Sequence, residues 1–177
     1  MYTDDSIFTS KNKYRFPATS SSWLSSIVMS LALGNVCLEL PVIPDDDGGG
    51  FKMLKKLQLQ LVGDLGDLTP FLSNCPALEW LSITRSFVPH LVVPRTYLHV
   101  GHCDIESIQL RAASITTFEY VGAPFLPIKI NDSLKLSKAN VTLSRVGDTL
   151  VVILRLTQII EAAPQLEHFV LHMNSLD

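Results

Sequence analysis

Apolar residues in this 177-residue chain fall into short triples of fixed spacing, not into long helical stripes. Leu54, Leu57 and Leu59 are spaced Φ-x-x-Φ-x-Φ, and Leu78, Leu81 and Ile83 repeat that spacing 24 residues later. The last two positions of a triple lie two apart. In an extended strand Leu57 and Leu59 therefore point to one face, and Lys56, Gln58 and Gln60 to the other. One face packs and the other is free to bind. Between the triples, Leu65, Leu68, Phe71 and Leu72 suit a short amphipathic helix. Thr69 is placed to cap it, Pro70 sits at the first helical position, and Pro76 stops it. The same spacing is read at Leu33, Val36 and Leu38, as a first triple before Leu54.

Beyond Arg95 the period shortens. The triples Arg95/Leu98/Val100, Ile105/Ile108/Leu110, Ile115/Phe118/Tyr120 and Phe125/Ile128/Ile130 begin at intervals of ten. A repeating coil needs about 20 residues to go round, so successive strands are expected alternately on the two faces of a flattened, helix-poor stack. Ser114, Gly122, Ala123 and Pro124 supply turn chemistry between them. Leu134, Leu136, Val141 and Leu143 continue the pattern less regularly. Asp148 is placed to cap a helix through Leu150, Ile153, Leu154, Thr157 and Ile160, ending at Pro164. The β-branched Val151, Val152 and Ile153 leave a strand open there. A final strand is expected at Leu166, Phe169 and Leu171. The phrases PALEWLSI (76–83) and PQLEHFVL (164–171) share one pattern 88 residues apart, an internal echo that marks a repeat protein.

A strand with a short connecting segment cannot bury its apolar edges alone, so such units are stable only when stacked on neighbours. Their length falls within the period of leucine-rich repeats. The expected fold is an α/β leucine-rich-repeat solenoid, strand-rich, with short helices on the convex side. It spans 33–177, follows an irregular polar lead-in at 1–32, and carries an acidic Gly/Pro loop insertion at 41–50. That loop, PVIPDDDGGG, is not a phosphate cradle: no Gly-Lys-Ser/Thr follows, and three aspartates repel phosphate.

Composition narrows the function. With 47% hydrophobic and 18% charged residues, the chain is that of a folded domain. Net charge is −3 and the 14 Lys plus Arg form no run, so nucleic acid is not an expected partner. Cys37, Cys75 and Cys103 are odd in number and widely spaced, which fits a reducing compartment better than a disulfide framework. Lys11, Lys13 and Arg15 before the apolar run Trp23 to Leu33 imitate a signal peptide, yet cleavage after Gly34 would cut the first triple. The run is too short to span a bilayer. Sequons at Asn131 and Asn140 matter only in a secreted protein. The expected location is cytoplasmic or nuclear, with no membrane partner.

Five phrases, LKKLQL, FLSNCPALEWLSI, YLHVGHCDIESIQL, ITTFEYVG and PQLEHFVLHM, resemble the repeat region of plant F-box/leucine-rich-repeat proteins, notably the large group in grasses. The resemblance covers roughly Leu54 to Met173. It implies the target-recognising half of a Skp–cullin–F-box ubiquitin ligase receptor. In such receptors an N-terminal F-box docks on the Skp adaptor and the repeats recruit the target. Residues 1 to 50 contain nothing like an F-box, so the expectation for this chain is a protein-interaction domain with an unidentified target protein. Skp would join only through an F-box in a longer form. Two alternatives stand beside it: a non-catalytic truncated remnant without a stable partner, and a secreted leucine-rich recognition protein.

No catalytic arrangement is expected. There is no G-x-S-x-G turn, no cofactor motif, and His99-x-x-His102-Cys103 lacks a fourth metal ligand. Cys75 reads as a buried helix-end residue. The candidate partner site is the outward side of the strands: Lys56, Gln58, Gln60, Trp80, Ser82, Thr84, Tyr97, His99, Thr117, Glu119, His168 and His172. Trp80 is the leading single candidate. A large aromatic on such a face is either a binding anchor or a packing partner of its own ladder.

Overall fold

The triples become parallel strands, and the structure, a computed structural model, describes residues 14–17, 27–39, 51–63, 65, 67–93, 97–105, 107–110, 115–123, 128–130, 135–144 and 149–174. The described elements run β1 (Tyr14–Pro17), β2 (Ser30–Gly34), β3 (Val36–Glu39), β4 (Lys56–Gln60), α1 (Thr69–Ser73), β5 (Trp80–Thr84), β6 (His90–Val93) and β7 (Tyr97–Gly101). They continue with β8 (Ser107–Leu110), β9 (Thr117–Gly122), β10 (Ile128–Ile130), β11 (Lys138–Ser144), α2 (Thr149–Ala162) and β12 (His168–Asn174). Seven strands make one parallel sheet in the order β12-β11-β9-β7-β5-β4-β2. A second parallel sheet runs β10-β8-β6, and β1 pairs with β3. The architecture is strand-rich α/β with parallel sheets and short helices, as leucine-rich repeats require.

The ten-residue interval is explained by this layout. β7 and β9 lie in the seven-stranded sheet, and β8 and β10 in the three-stranded one, so consecutive triples do alternate between two sheets. Both sheets contribute to one core. Leu57, Leu59, Ile83, Leu98, Val100 and Phe118 from the first are fully buried together with Leu91 and Ile108 from the second. Each buried aliphatic side chain contributes roughly 1.5–3 kcal/mol, and registration lines them up in two inward rows. One runs Leu31, Leu57, Leu81, Leu98, Phe118, Ala139, Phe169, and the other Leu33, Leu59, Ile83, Val100, Tyr120, Val141, Leu171.

Those rows correct the first triple. Leu31 and Leu33 pair with Leu57 and Leu59, so the first sheet strand is β2, and its triple is Val28/Leu31/Leu33 in place of Leu33/Val36/Leu38. Val36 begins β3, which pairs with β1. Between β2 and β3 the chain turns at Asn35, with φ of 54°, a left-handed conformation that asparagine tolerates well. The polar lead-in therefore holds a strand, β1. Leu61, Arg85 and His102 occupy the same left-handed position directly after β4, β5 and β7. At all four turns this residue donates its backbone N–H to the neighbouring repeat, to Gln60, Thr84, Gly101 and Val121 in turn. The bond offsets a conformation that costs a non-glycine residue about 1–2 kcal/mol.

Behind these turns Ser86 acts as an interior tie. It is 2% exposed; its hydroxyl accepts from Val62 N–H at 3.2 Å and donates to Thr84 O at 3.0 Å. Cys103, one repeat on, points its thiol at the Ile83 and Gly101 carbonyls, each at 3.4 Å. Burial pushes both structural thiols up, Cys75 to about 11.

The first helix forms where expected, with Phe71 and Leu72 buried, but its capping differs. The Asp67 carboxylate, not the Thr69 hydroxyl, takes the first free N–H, at 2.9 Å from Thr69 N. The Thr69 side-chain and backbone bonds hold the Asp67 carboxyl below its ordinary range. The chain from 149 to 162 is helical, not a strand: Val152, Leu156 and Ile159 share its buried face. Asp148, Arg95, Phe125, Leu134, Ser114, Pro124 and the 41–50 loop lie outside the described residues.

Candidate functional site

Alternating burial leaves one side of the seven-stranded sheet facing outward: β9 alternates half-buried and buried positions, and β11 alternates exposed or half-buried with buried ones. Register then sorts the outward side chains into three rows that cross the strands. The first is Ser30, Lys56, Trp80, Tyr97, Thr117, Lys138, His168. A second row runs Ala32, Gln58, Ser82, His99, Glu119, Asn140, Val170, and the third Gly34, Gln60, Thr84, Gly101, Val121, Thr142, His172. All twelve expected site residues fall on these rows.

Within the first two rows the side chains are linked. The Lys56 ammonium sits 4.3 Å from the centroid of the Trp80 ring. Trp80 in turn stacks on Tyr97, with centroids 5.3 Å apart and planes 7° from parallel. The Tyr97 hydroxyl donates to Glu119 Oε2 at 2.8 Å, passing from row one to row two. Burial, and then the Glu119 carboxylate, pushes the Tyr97 phenol up to about 12, so it is a neutral hydrogen-bond donor at physiological pH. Cation–π and aromatic stacking contacts each contribute on the order of 0.5–1.5 kcal/mol. Together they hold the two half-buried rings against one another across β5 and β7. Trp80 therefore packs in its own ladder, between Lys56 and Tyr97.

Ser82 departs from the expected exposure. It is 3% exposed because the His99 ring covers it, with Ser82 Oγ and His99 Nδ1 2.9 Å apart and sharing a hydrogen bond. The ring fits there because the next outward position is glycine. A Cβ on Gly101 would meet the His99 ring at 3.4 Å and the Thr84 methyl at 3.2 Å. Lys56, Gln60, His168 and His172 are exposed, while Gln58, Thr84, Thr117 and Glu119 are half-buried. Lys138, Asn140 and Thr142, all on β11, also lie on the rows and were not singled out from sequence. Their strand was hidden because its triple, Leu136/Ala139/Val141, has alanine where leucine was sought. The second-layer strand β6 was also missed, although Val88, Leu91 and Val93 carry the spacing, because Pro89 and Pro94 bracket it.

Chemically this face offers donors, acceptors and a stacked aromatic pair. Among the described residues no cluster of three or more His, Cys, Asp or Glu is arranged to hold a metal ion. His99 is turned onto Ser82, and Cys103 toward backbone carbonyls. Among the described residues, no helix is long and apolar enough to cross a membrane.

Parallel strands in register, the repeated left-handed turn and the single shared core together define a leucine-rich-repeat domain. The family described as At1g61320/AtMIF1, LRR domain, matches residues 6–175. The chain belongs to that family. This leucine-rich-repeat assignment is consistent with a non-enzymatic domain of the kind that binds other proteins. Comparison with curated proteins gave no match, and comparison with solved structures gave none.

Proposed function

We propose that this leucine-rich-repeat domain recognises a protein target through the three outward rows of its seven-stranded sheet. The target is read by Lys56, Gln58, Gln60, Trp80, Thr84, Tyr97, His99, Thr117, Glu119, His168 and His172, with Ser82 holding His99 from beneath. The role is that of the target-recruiting repeats of a plant Skp–cullin–F-box receptor, within a solenoid in the cytoplasm or nucleus. Skp is engaged only through an F-box in a longer form. One observation carries the reading. The outward rows are in register across seven strands and place a stacked aromatic pair between charged groups, the arrangement of an aromatic interface core with a polar rim. The three free cysteines support a reducing compartment.

The test is site-specific photo-crosslinking in plant cells. A photoreactive side chain at Gln58 or Asn140, on the outward face, is expected to capture a discrete partner; the same group at Gln158, exposed on α2, is not. Equal capture from both positions, or none from the face, overturns the assignment. Mass spectrometry of the captured material for Skp and cullin decides the ligase connection separately.

A further inference from the structure

Charge on the outward face is not evenly spread, and its pattern identifies the partner more narrowly. Row one carries two exposed lysines, Lys56 on β4 and Lys138 on β11. Neither has an ion-pair partner among the described residues; Lys56 meets only the Trp80 ring, 4.3 Å away. By contrast Lys55, one position before β4, is tied to Glu79 at 3.7 Å. The one carboxylate in the described rows, Glu119, lies between the two lysines and is engaged by the Tyr97 hydroxyl. Read along the sheet, the face is positive, then aromatic, then negative, then positive.

We propose that the partner is a protein segment crossing the strands along row one, with a carboxylate at each end and an uncharged or basic middle. This rests on the reading of the outward face as the binding surface. Lys56 and Lys138 are four strand spacings apart in the register β4, β5, β7, β9, β11, which is about 19 Å at ~4.8 Å per strand. Two acidic residues meet that separation when about six residues apart in an extended peptide, or about thirteen apart in a helix. A carboxylate arriving at Lys56 lies beside the stacked rings, so the next residue of the segment meets Trp80 and Tyr97. A uniformly acidic segment is disfavoured, because its middle would face Glu119. The protein's net charge of −3 makes this face locally opposite to the whole, so attraction of an acidic segment is a property of the site.

Panning a displayed library of random peptides against the full chain tests the proposal. Synthetic copies of the winning peptides are then titrated by fluorescence anisotropy against the wild type and the variants Lys56→Gln, Lys138→Gln and Trp80→Ala. Both lysines are exposed, so their substitution leaves the core intact, and a titration at raised salt gives an independent reading. The expected winners carry paired acidic residues at the stated spacing, and each lysine variant weakens them about three- to ten-fold, as does raised salt. Winners that lose binding with Trp80→Ala but are basic, apolar or indifferent to both lysine variants overturn the acidic-segment inference and leave the face assignment standing. Winners unaffected by all three variants overturn both.

Discussion

The inward rows make a sharp prediction at Phe118. This ring is 0% exposed, with Leu98 on one side in its row and Ala139 on the other; beyond Ala139 comes Phe169. At this end of the row a small residue sits between two rings, the complementary filling that close packing demands. Truncating Phe118 to alanine places two alanines side by side on β9 and β11, both interior strands of the sheet. Neither neighbour strand can move in to fill the gap without breaking its ladder. The loss is expected at the upper part of the usual range for phenylalanine truncation, about 4–5 kcal/mol. Phe169, in the same row but on the terminal strand, is only half-buried, and its truncation is expected to cost about 1.5–2.5 kcal/mol, as a share of the same full-burial range. Urea unfolding followed by circular dichroism, with linear extrapolation, measures both. Ala139→Phe alone overpacks the row at about 1–3 kcal/mol, yet combined with Phe118→Ala it returns a ring to the gap. The double variant is expected to be more stable than the sum of the singles by at least about 1 kcal/mol. A cost below about 1 kcal/mol for Phe118→Ala, or strict additivity of the pair, would refute the packing argument.

Three other outcomes follow from the same geometry. Stability is expected to fall as pH rises through the alkaline range. Cys75, Tyr97 and Tyr120 bind their protons more tightly folded, with values raised from 9.0 to about 11 for Cys75 and from 10.0 to about 12 for each tyrosine. Their stabilisation is complete below the unfolded values and is lost on approach to the folded ones; urea midpoints against pH should show the decline, flattened by Tyr97→Phe and Tyr120→Phe. Gly122→Ala is expected to cost about 1–3 kcal/mol, since its new Cβ would lie 2.5 Å from the buried Tyr120 hydroxyl. That hydroxyl bonds Ala123 O at 3.0 Å, and Tyr120→Phe should relieve part of the thermal-unfolding penalty. Ser86→Ala strips the interior Val62 N–H of its acceptor and is expected to cost about 1–3 kcal/mol, whereas hydrogen exchange at Val62 should quicken if the tie is real.

Much of the fold was legible because strand spacing leaves a local mark. The triples at Leu54 and Leu78 gave β4 and β5 directly, and the ten-residue interval after Leu98 revealed two sheets before any pairing was known. The first triple failed for a different reason. Leu31-Ala-Leu33 and Val36-Cys-Leu38 both satisfy the spacing, and only long-range pairing of Leu31 with Leu57 chooses between them. The turn that separates them was signalled at Gly34-Asn35. Its equivalents at Leu61, Arg85 and His102 carry no turn residue, and their left-handed backbone is imposed by the bond to the next repeat. The outward placement of the twelve candidate residues was legible from alternation alone. Their linkage from Lys56 to Glu119 was not, since it depends on which strand lies beside which.

Strand pairing within the sheet explains why the linked side chains sit on β4, β5, β7 and β9. Only 17 residues separate Ser82 from His99, too few for a helical return, so the chain closes that repeat with β6. Strands in both layers then advance by the same ~4.8 Å per repeat, and neighbouring outward side chains keep constant separation. Stacking of Trp80 on Tyr97 at 5.3 Å matches that advance. The connection from β4 to β5 does carry a helix, α1, yet Lys56 still lies opposite Trp80 and 4.3 Å from its ring, so the hydrogen-bonded ladder, not the connection, brings side chains of adjacent repeats into contact. Tyr97→Leu should therefore abolish the stacking signal in near-ultraviolet circular dichroism, whereas lengthening the β5 to β6 connection by a helical turn should leave it in place as long as β5 and β7 stay paired.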